Sequence, residues 1–402
     1  MRSAGRRYSK SDFCMINSLD ANVGIATFTI RTNSHMAKKI ILSTTNDIST
    51  DNRVHKVAML LMQLGFDVHW VGRALPNSLP LDRPYRTSRM RLFFAKGGLF
   101  YAEFHVRLFL FLLRHRGAVL VSNDLDTLLP NYLASRLYKT ALVYDSHEYF
   151  CGVPEIQGRW VKKVWLAVER AIFPRLKHIW TVNESIADLY EKDYGIRPSV
   201  FRNISPKPSA FAPKSRAALN LPENRRIVIN QGSGMNVDRG LEEAVEAVAG
   251  MDGWLLLLVG SGDAIPGLKE KVQLEGWQEK VLFIDRMPYD QLLHYTATAD
   301  VGLSLDKDSN INYRFSLPNK LFDYIHCSTP VVTSRVVEVK RIVEEYNVGL
   351  TVHVENILAL QRSIAAVAEH SDAYAPGLKR AQGELSWERE SMPLKNFYGQ
   401  FL

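Results

Sequence analysis

Short apolar runs alternate with stretches of helical period through most of this chain, and the alternation occurs twice, on either side of a proline-bearing segment. Ile40, Ile41 and Leu42 sit in a strand-like run at 39–43. Val54, Val57, Ala58 and Leu61 then recur at i, i+3, i+4 and i+7 before Gly65, the spacing of one helix face and its stop. Further strand-like runs stand at 68–71, 118–121, 141–144 and 178–182. Residues 203–226 break the pattern with Pro206, Pro208, Pro213 and Pro222 and read as a linker. The series resumes at 227–229, 255–259, 281–284, 301–305 and 331–333. Such alternation demands a parallel sheet covered by helices. The expected fold class is therefore α/β: two Rossmann-like, doubly wound parallel-sheet domains facing across a cleft, with a linker at 206–226. Residues 1–35 lack the pattern, which starts abruptly at Met36, and read as an N-terminal extension, either disordered or not native.

With 402 residues the chain is longer than one core usually serves. Its 46% hydrophobic and 23% charged residues exclude fibrous and largely disordered classes. The most apolar stretch runs only from Leu108 to Leu113, and Lys96, Glu103, His105 and Arg107 interrupt its surroundings, so no spanning helix is expected. Cys14, Cys151 and Cys327 are widely spaced, without metal-ligand spacing, which fits a reducing, cytoplasmic setting. The formal net charge of +8 favours anionic partners in general. The Lys and Arg residues are scattered rather than arrayed in a stripe, which argues against nucleic acid.

In doubly wound folds ligands sit outside the carboxyl ends of the strands, so the turns after strands carry the functional reading. The run ending at Ile229 leads into Asn230-Gln231-Gly232-Ser233-Gly234 and on to Arg239-Gly240 before a helix bearing Leu241, Ala244, Val245 and Val248. Glycines there let backbone N–H groups approach an anion, and Arg239 offers a planar fork to phosphate oxygens. A second turn of the same kind, Gly260-Ser261-Gly262-Asp263, follows the next strand. Neither is a P-loop or a dinucleotide fingerprint. Both would also serve as ordinary tight turns, but together they point to one sheet edge. In the segment from Ser316 to Val332, Ser316 is a candidate helix cap and Pro318 suits a first turn. Asn319 and Asp323, at i and i+4, share one side of that helix. Asp323 suits a ribose diol and Lys320 a phosphate, against the alternative of a capped core helix with a surface ion pair. In the first half, Asp145-Ser146-His147-Glu148 ends a strand. Four polar residues are costly there if buried and idle, which places His147 and Glu148 in the cleft. Asp124 closes another strand in the same way, and Asp51 and Arg53 line the first turn.

Taken together these segments resemble the family 4 retaining glycosyltransferases of GT-B fold, from about Lys38 to the C-terminus, in a branch with a Pro-Asn-Lys variant of the Glu-x7-Glu segment. The likeness implies sugar transfer from a nucleotide-diphosphate sugar, as co-substrate rather than cofactor, with retention and no required metal. Residues 227–385 would hold the donor and 36–205 would face the acceptor. Residues 386–402, beginning Ser386-Trp387-Glu388-Arg389-Glu390, look like the family's last helix, which crosses back to the first domain. The resemblance carries over onto His147, Ser233, Arg239 and Asp323, and with the residue readings above His147, Arg239 and Lys320 are the catalytic candidates. Gly232, Ser233, Gly234, Gly260, Ser261, Asn319 and Asp323 are the donor-binding candidates, and Asp51, Arg53, Asp124 and Glu148 the acceptor-side ones. A diphosphate would lie beside Arg239 and Asp323.

The chain departs from the family at several places. Phe315 stands where the first glutamate would be, with Asp306 or Asp308 as candidates to replace its carboxylate. Pro318 stands for a glycine, Ser328 where glycine is common, and Ser233 where arginine is frequent. The acceptor reading is a glycan or a lipid-linked molecule of surface polysaccharide or glycolipid synthesis. Residues 84–117 interleave basic and aromatic side chains, which suits a peripheral site on an anionic membrane face as well as a core helix with a solvated edge. The competing functions are a nucleotide-sugar 2-epimerase-like isomerase and a non-catalytic sugar-nucleotide-binding protein.

Overall fold

The computed structural model describes residues 37–49, 51–76, 78–206 and 211–402; the extension at 1–35, Cys14 and part of the proline-bearing linker lie outside them. The first sheet contains β1 (Lys39–Asp47), β2 (Asp67–Arg73), β3 (Arg86–Met90), β4 (Val119–Asn123), β5 (Leu142–Ser146), β6 (His178–Thr181) and β7 (Ser199–Val200). The second contains β8 (Arg226–Gly232), β9 (Trp254–Gly260), β10 (Val281–Ile284), β11 (Val301–Ser304), β12 (Val331–Thr333) and β13 (Gly349–Thr351). Their orders are 3-2-1-4-5-6-7 and 10-9-8-11-12-13. Every pairing is parallel. Each order reverses once, between β1 and β4 and between β8 and β11, which creates a switch point at each carboxyl edge.

Alternation along the strands explains why both faces of the first sheet are covered. Ile40 and Leu42 of β1 join Trp70, Val119, Val121 and Val143 in one core. Ile41 points the other way into a core with Val71, Leu120 and Tyr144. The second half has one continuous core around Val228, Leu256, Leu303 and Tyr324. Strands β3, β7 and β13 had no signal in the apolar pattern. All lie toward the sheet edges, and β3 reads Arg-Thr-Ser-Arg-Met with no residue fully buried.

The stretch expected to be a plain linker is anchored in its described parts. Ile204 and Leu221 are buried in the second core. The Arg216 guanidinium donates to the Thr298 carbonyl at 3.0 Å and to Asp300 at 2.8 Å. The helix Trp387–Gly399, capped by Ser386, sends Leu394 and Tyr398 into the core of the first half. Glu390 there accepts from Arg202 Nε at 2.8 Å.

Two corrections concern local signals. Ser316 does not cap the helix Asn319–His326: Pro318 holds the N-cap position in extended conformation, and the Ser316 hydroxyl donates instead to Asp306 at 3.0 Å. Ser328 has φ +59°, in the left-handed region, which accounts for a position where glycine is the usual choice.

The paired Gly-Ser-Gly turns coincide in space. Gly232 and Gly260 are partners in the β8–β9 register, and Ser261 N–H donates to the Gly232 carbonyl at 3.1 Å. Gly260 has φ +140°, and a Cβ there would lie 1.8 Å from the Gly232 carbonyl oxygen. Gly260→Ala is therefore expected to destabilise the second half by at least about 2 kcal/mol. Denaturant unfolding checks this, and an unchanged midpoint would remove the close-approach requirement.

Candidate functional site

At the carboxyl edge of the first sheet, four ionisable side chains interlock. Arg53 enters from the first turn of the helix Asn52–Gln63, and its Nη2 donates to Asp145 Oδ1 at 2.7 Å. His147 Nε2 lies 3.4 Å from the other Asp145 oxygen, and Nδ1 lies 3.3 Å from Asp124 Oδ2. The His147 backbone N–H donates to Asp124 Oδ1 at 2.7 Å. Asp124 takes φ +63°, which Asp tolerates better than most residues.

The charges follow from these contacts. Burial opposes the His147 imidazolium, but Asp124 and Asp145 outweigh burial and Arg53 and raise its pKa to about 9. Burial likewise opposes the Asp145 carboxylate, but Arg53 and His147 hold it well below the usual range. Asp124 is raised, chiefly by burial. Glu148 is pushed up to about 7 by burial together with the charges of Asp124 and Glu155.

In the second half, Asp323 is buried and both its oxygens are taken: Tyr289 Oη donates to Oδ1 at 2.8 Å and Gln231 Nε2 to Oδ2 at 3.1 Å. Burial, partly offset by these donors, raises Asp323 to about 6. Lys320 Nζ donates to Asn230 Oδ1 at 3.0 Å, and burial, with the Arg239 charge adding to it, lowers its pKa. Arg239 is paired with Asp306 and stacks 4.1 Å from the Tyr313 ring centroid.

Two cavities separate these groups. One, of about 500 Å³, is lined by Gly232, Ser233, Gly260, Asn319 and Asp323, joined by Lys56 and Tyr289. The other, of about 400 Å³, is lined by Arg53, His147, Glu148, Arg239 and Asn319, joined by Asn312 and Phe315. Asn203 and Asn319 belong to both walls, so the cavities adjoin. Arg239 and Asp323 thus face neighbouring spaces rather than one.

Several candidate residues line neither cavity. Asp51 caps its helix, accepting from Val54 N at 3.0 Å. Asp124 stands behind His147, and Lys320 stands behind Asn230. Gly234 and Ser261 shape the turns without lining either space. The carboxylates offered in place of Phe315 are committed elsewhere: Asp306 holds Arg239 and Ser316, while Asp308 pairs with Arg314.

Sequence reasoning missed Lys56, Asn203, Tyr289 and Asn312. Lys56 Nζ donates to Asn203 Oδ1 at 2.8 Å and the Ile204 carbonyl at 2.7 Å, and burial lowers its pKa to about 7. Its i+3 spacing from Arg53 was the available signal. Asn312 accepts from Tyr149 N at 3.1 Å, across the two halves, and no local pattern announces such a contact. Among the described residues no cluster of His, Cys, Asp or Glu could hold a metal ion, and no helix is long and apolar enough to cross a membrane.

Two facing parallel sheets with cavities at both switch points define the GT-B class of α/β protein. Residues 51–206 match the family described as Glycosyltransferase Family 4, and residues 229–370 match the family described as Glycosyl transferases group 1. The chain is a glycosyltransferase of GT-B type. Its fold is similar to that of sucrose-phosphate synthase from Thermosynechococcus elongatus, with TM-score 0.75, 19% identity, and coverage of 90% of this chain and 98% of that one. It is also similar to a glycosyltransferase from Rickettsia africae (TM-score 0.71, 13% identity, coverage 91% and 99%). A third similar structure is Anabaena HepE in complex with UDP-glucose (TM-score 0.67, 15% identity, coverage 90% and 98%). No curated protein matches the sequence significantly.

The His147 cage gives a direct test. Its pKa is raised on folding, so its contribution to stability is full below about 6.5 and is lost as pH rises through about 9. An NMR titration of the His147 ring should have its midpoint near 9. The stability difference between wild type and His147→Gln should shrink over the same rise in pH. A midpoint at or below that of an unfolded histidine would dissolve the cage argument.

Proposed function

We propose that the chain transfers a sugar from a nucleoside-diphosphate sugar to a hydroxyl of a glycan or lipid-linked acceptor, with retention at the anomeric carbon and without a metal ion. The observation that carries this reading is the pair of adjoining cavities, one framed by the Gly232 and Gly260 turns with Asp323, the other by His147, Glu148 and Arg239. The first suits a nucleoside and the second a sugar, with the diphosphate between them near Asn319. HepE, the similar fold described with UDP-glucose, supports a donor of this class.

In a front-face displacement the bond from the anomeric carbon to the β-phosphate oxygen breaks. The acceptor oxygen bonds to the same face, and its proton passes to the departing phosphate oxygen. Negative charge grows on the diphosphate, so cations fixed beforehand lower the barrier most. Asp306 and Tyr313 fix the Arg239 guanidinium from two sides. The helix Leu241–Ala249 starts directly after it, and Lys320 adds its charge from behind Asn230. His147 lines the sugar cavity with its ring held between Asp124 and Asp145, so its positive charge stands fixed beside the reacting groups.

The membrane side of the proposal rests on the segment before and along the helix Gly97–Leu113. Phe100, Phe104, Leu108 and Leu112 are its buried face, while Phe93 is 88% exposed and Leu99, Val106 and Leu110 also face outward. Arg91, Lys96 and Arg114 are exposed nearby in the sequence. That combination suits the surface of an anionic bilayer holding a lipid-linked acceptor, in a cytoplasmic enzyme attached peripherally.

Arg239→Gln is expected to lower kcat by about 100-fold while Arg239→Lys restores part of it. Turnover of donor by Arg239→Gln at the wild-type rate would remove the charge-stabilising role. The anomeric configuration of the product by NMR tests retention. In liposome sedimentation, binding should increase with anionic lipid, weaken with salt and fall in Phe93→Ser. Indifference to lipid charge would exclude the docking surface.

A further inference from the structure

The cavity containing His147 has two chemically distinct kinds of wall. His147, Glu148, Asn312 and Arg239 bring charge and hydrogen-bonding groups to it, whereas Val182, Ile186, Phe315 and Leu317 bring hydrocarbon. The hydrocarbon patch is fixed: Val182, Ile186 and Phe315 pack with the core of the first half, and Leu317 packs with that of the second.

The amide groups of Phe315 and Asn183 beside this patch are already committed. The Phe315 carbonyl accepts from Asn183 Nδ2 at 2.8 Å, and the Phe315 N–H donates to the Ile311 carbonyl at 3.2 Å. The remaining amide oxygen of Asn183 accepts from Ile186 N at 2.9 Å. The Ser316 hydroxyl donates to Asp306. A sugar hydroxyl turned to this patch would leave water and gain no partner from the Phe315 or Asn183 groups, whereas a methyl group placed there gains burial.

We infer that the donor sugar is a 6-deoxyhexose, seated with its methyl group against Phe315; this rests on the donor-site reading above. A hexose has one carbon outside its ring, and removing the oxygen there leaves a methyl that projects from the ring into such a patch. The ring hydroxyls meet His147, Glu148 and Asn312. Phe315, at the position where the resembling family carries a glutamate, is then the specificity-determining residue of the cavity.

Calorimetry on the full chain separates the two readings. UDP, GDP and dTDP are titrated first, then the matched pairs UDP-glucose and UDP-6-deoxyglucose, GDP-mannose and GDP-6-deoxymannose, and dTDP-glucose and dTDP-6-deoxyglucose. For the base that binds, the deoxy sugar should bind about tenfold tighter than its hydroxylated partner. Phe315→Gln should abolish that preference with the Kd of the free nucleoside diphosphate unchanged, and Phe315→Leu should keep it. Equal or tighter binding of the hydroxylated sugar, alongside a bound nucleoside diphosphate, overturns this inference and leaves the donor reading standing. Tighter binding of UDP-N-acetylglucosamine than of UDP-6-deoxyglucose overturns it as well. Failure of all three nucleoside diphosphates to bind overturns the donor reading and this inference together.

Discussion

Asp145, buried at a sheet edge, is shared by Arg53 and His147, and much of the first half's working surface depends on that sharing. Arg53 comes from the helix after β1, Asp145 from the end of β5, His147 from the turn beyond it, and Asp124 from the end of β4. Two carboxylates and two cations balance there. Removing one would leave a buried charge without its partner, a costlier state than never having buried the group. The same balance fixes the imidazole ring, and with it the floor of the cavity that Glu148 and Arg239 also line.

A parallel sheet makes such a cluster possible. Its strands all end on one side, so polar residues written far apart in the chain converge without any local pattern relating them. In the second half the convergence uses backbone rather than charge: Gly232 and Gly260 meet as register partners, which leaves N–H groups and open space where side chains would stand. Arg239 and Asp323 flank that space from neighbouring cavities, each already held, one by Asp306 and the other by Tyr289 and Gln231. Groups fixed beforehand need no reorganisation when charge appears beside them.

These features were legible in the sequence to different degrees. The central strands of both sheets announced themselves because burial on both faces makes them continuous apolar runs. Strands β3, β7 and β13 were silent because they lie toward the edges and are short or polar. His147, Asp124 and the glycine turns were visible because polar residues and glycines at strand ends need a reason to be there. Lys56, Tyr289 and Asn312 were not, since their partners lie far away in the chain: Asn203, Asp323 and Tyr149. Ser316 misled because its local cap signal was overridden by a long-range acceptor, the buried Asp306.

Those long-range partners share a feature that bears on catalysis. The bonds from Asn183 to the Phe315 carbonyl, from the Tyr149 N–H to Asn312, and from the Ser185 N–H to Glu338 all run between the first half and the second. Asn312 adds bonds to Glu148 and to the Tyr149 carbonyl, and Phe315 packs against the core of the first half, so the contact is polar and apolar at once. The segment carrying Asn312, Tyr313 and Phe315 also supplies the ring beneath Arg239 and the apolar wall beside His147. Parting the two halves would therefore withdraw that wall from His147 and Glu148 while leaving the glycine turns of the other cavity intact. The first cavity draws on both halves as well, with Lys56 and Asn203 facing the glycine turns across it, so each cavity is complete only with the halves joined.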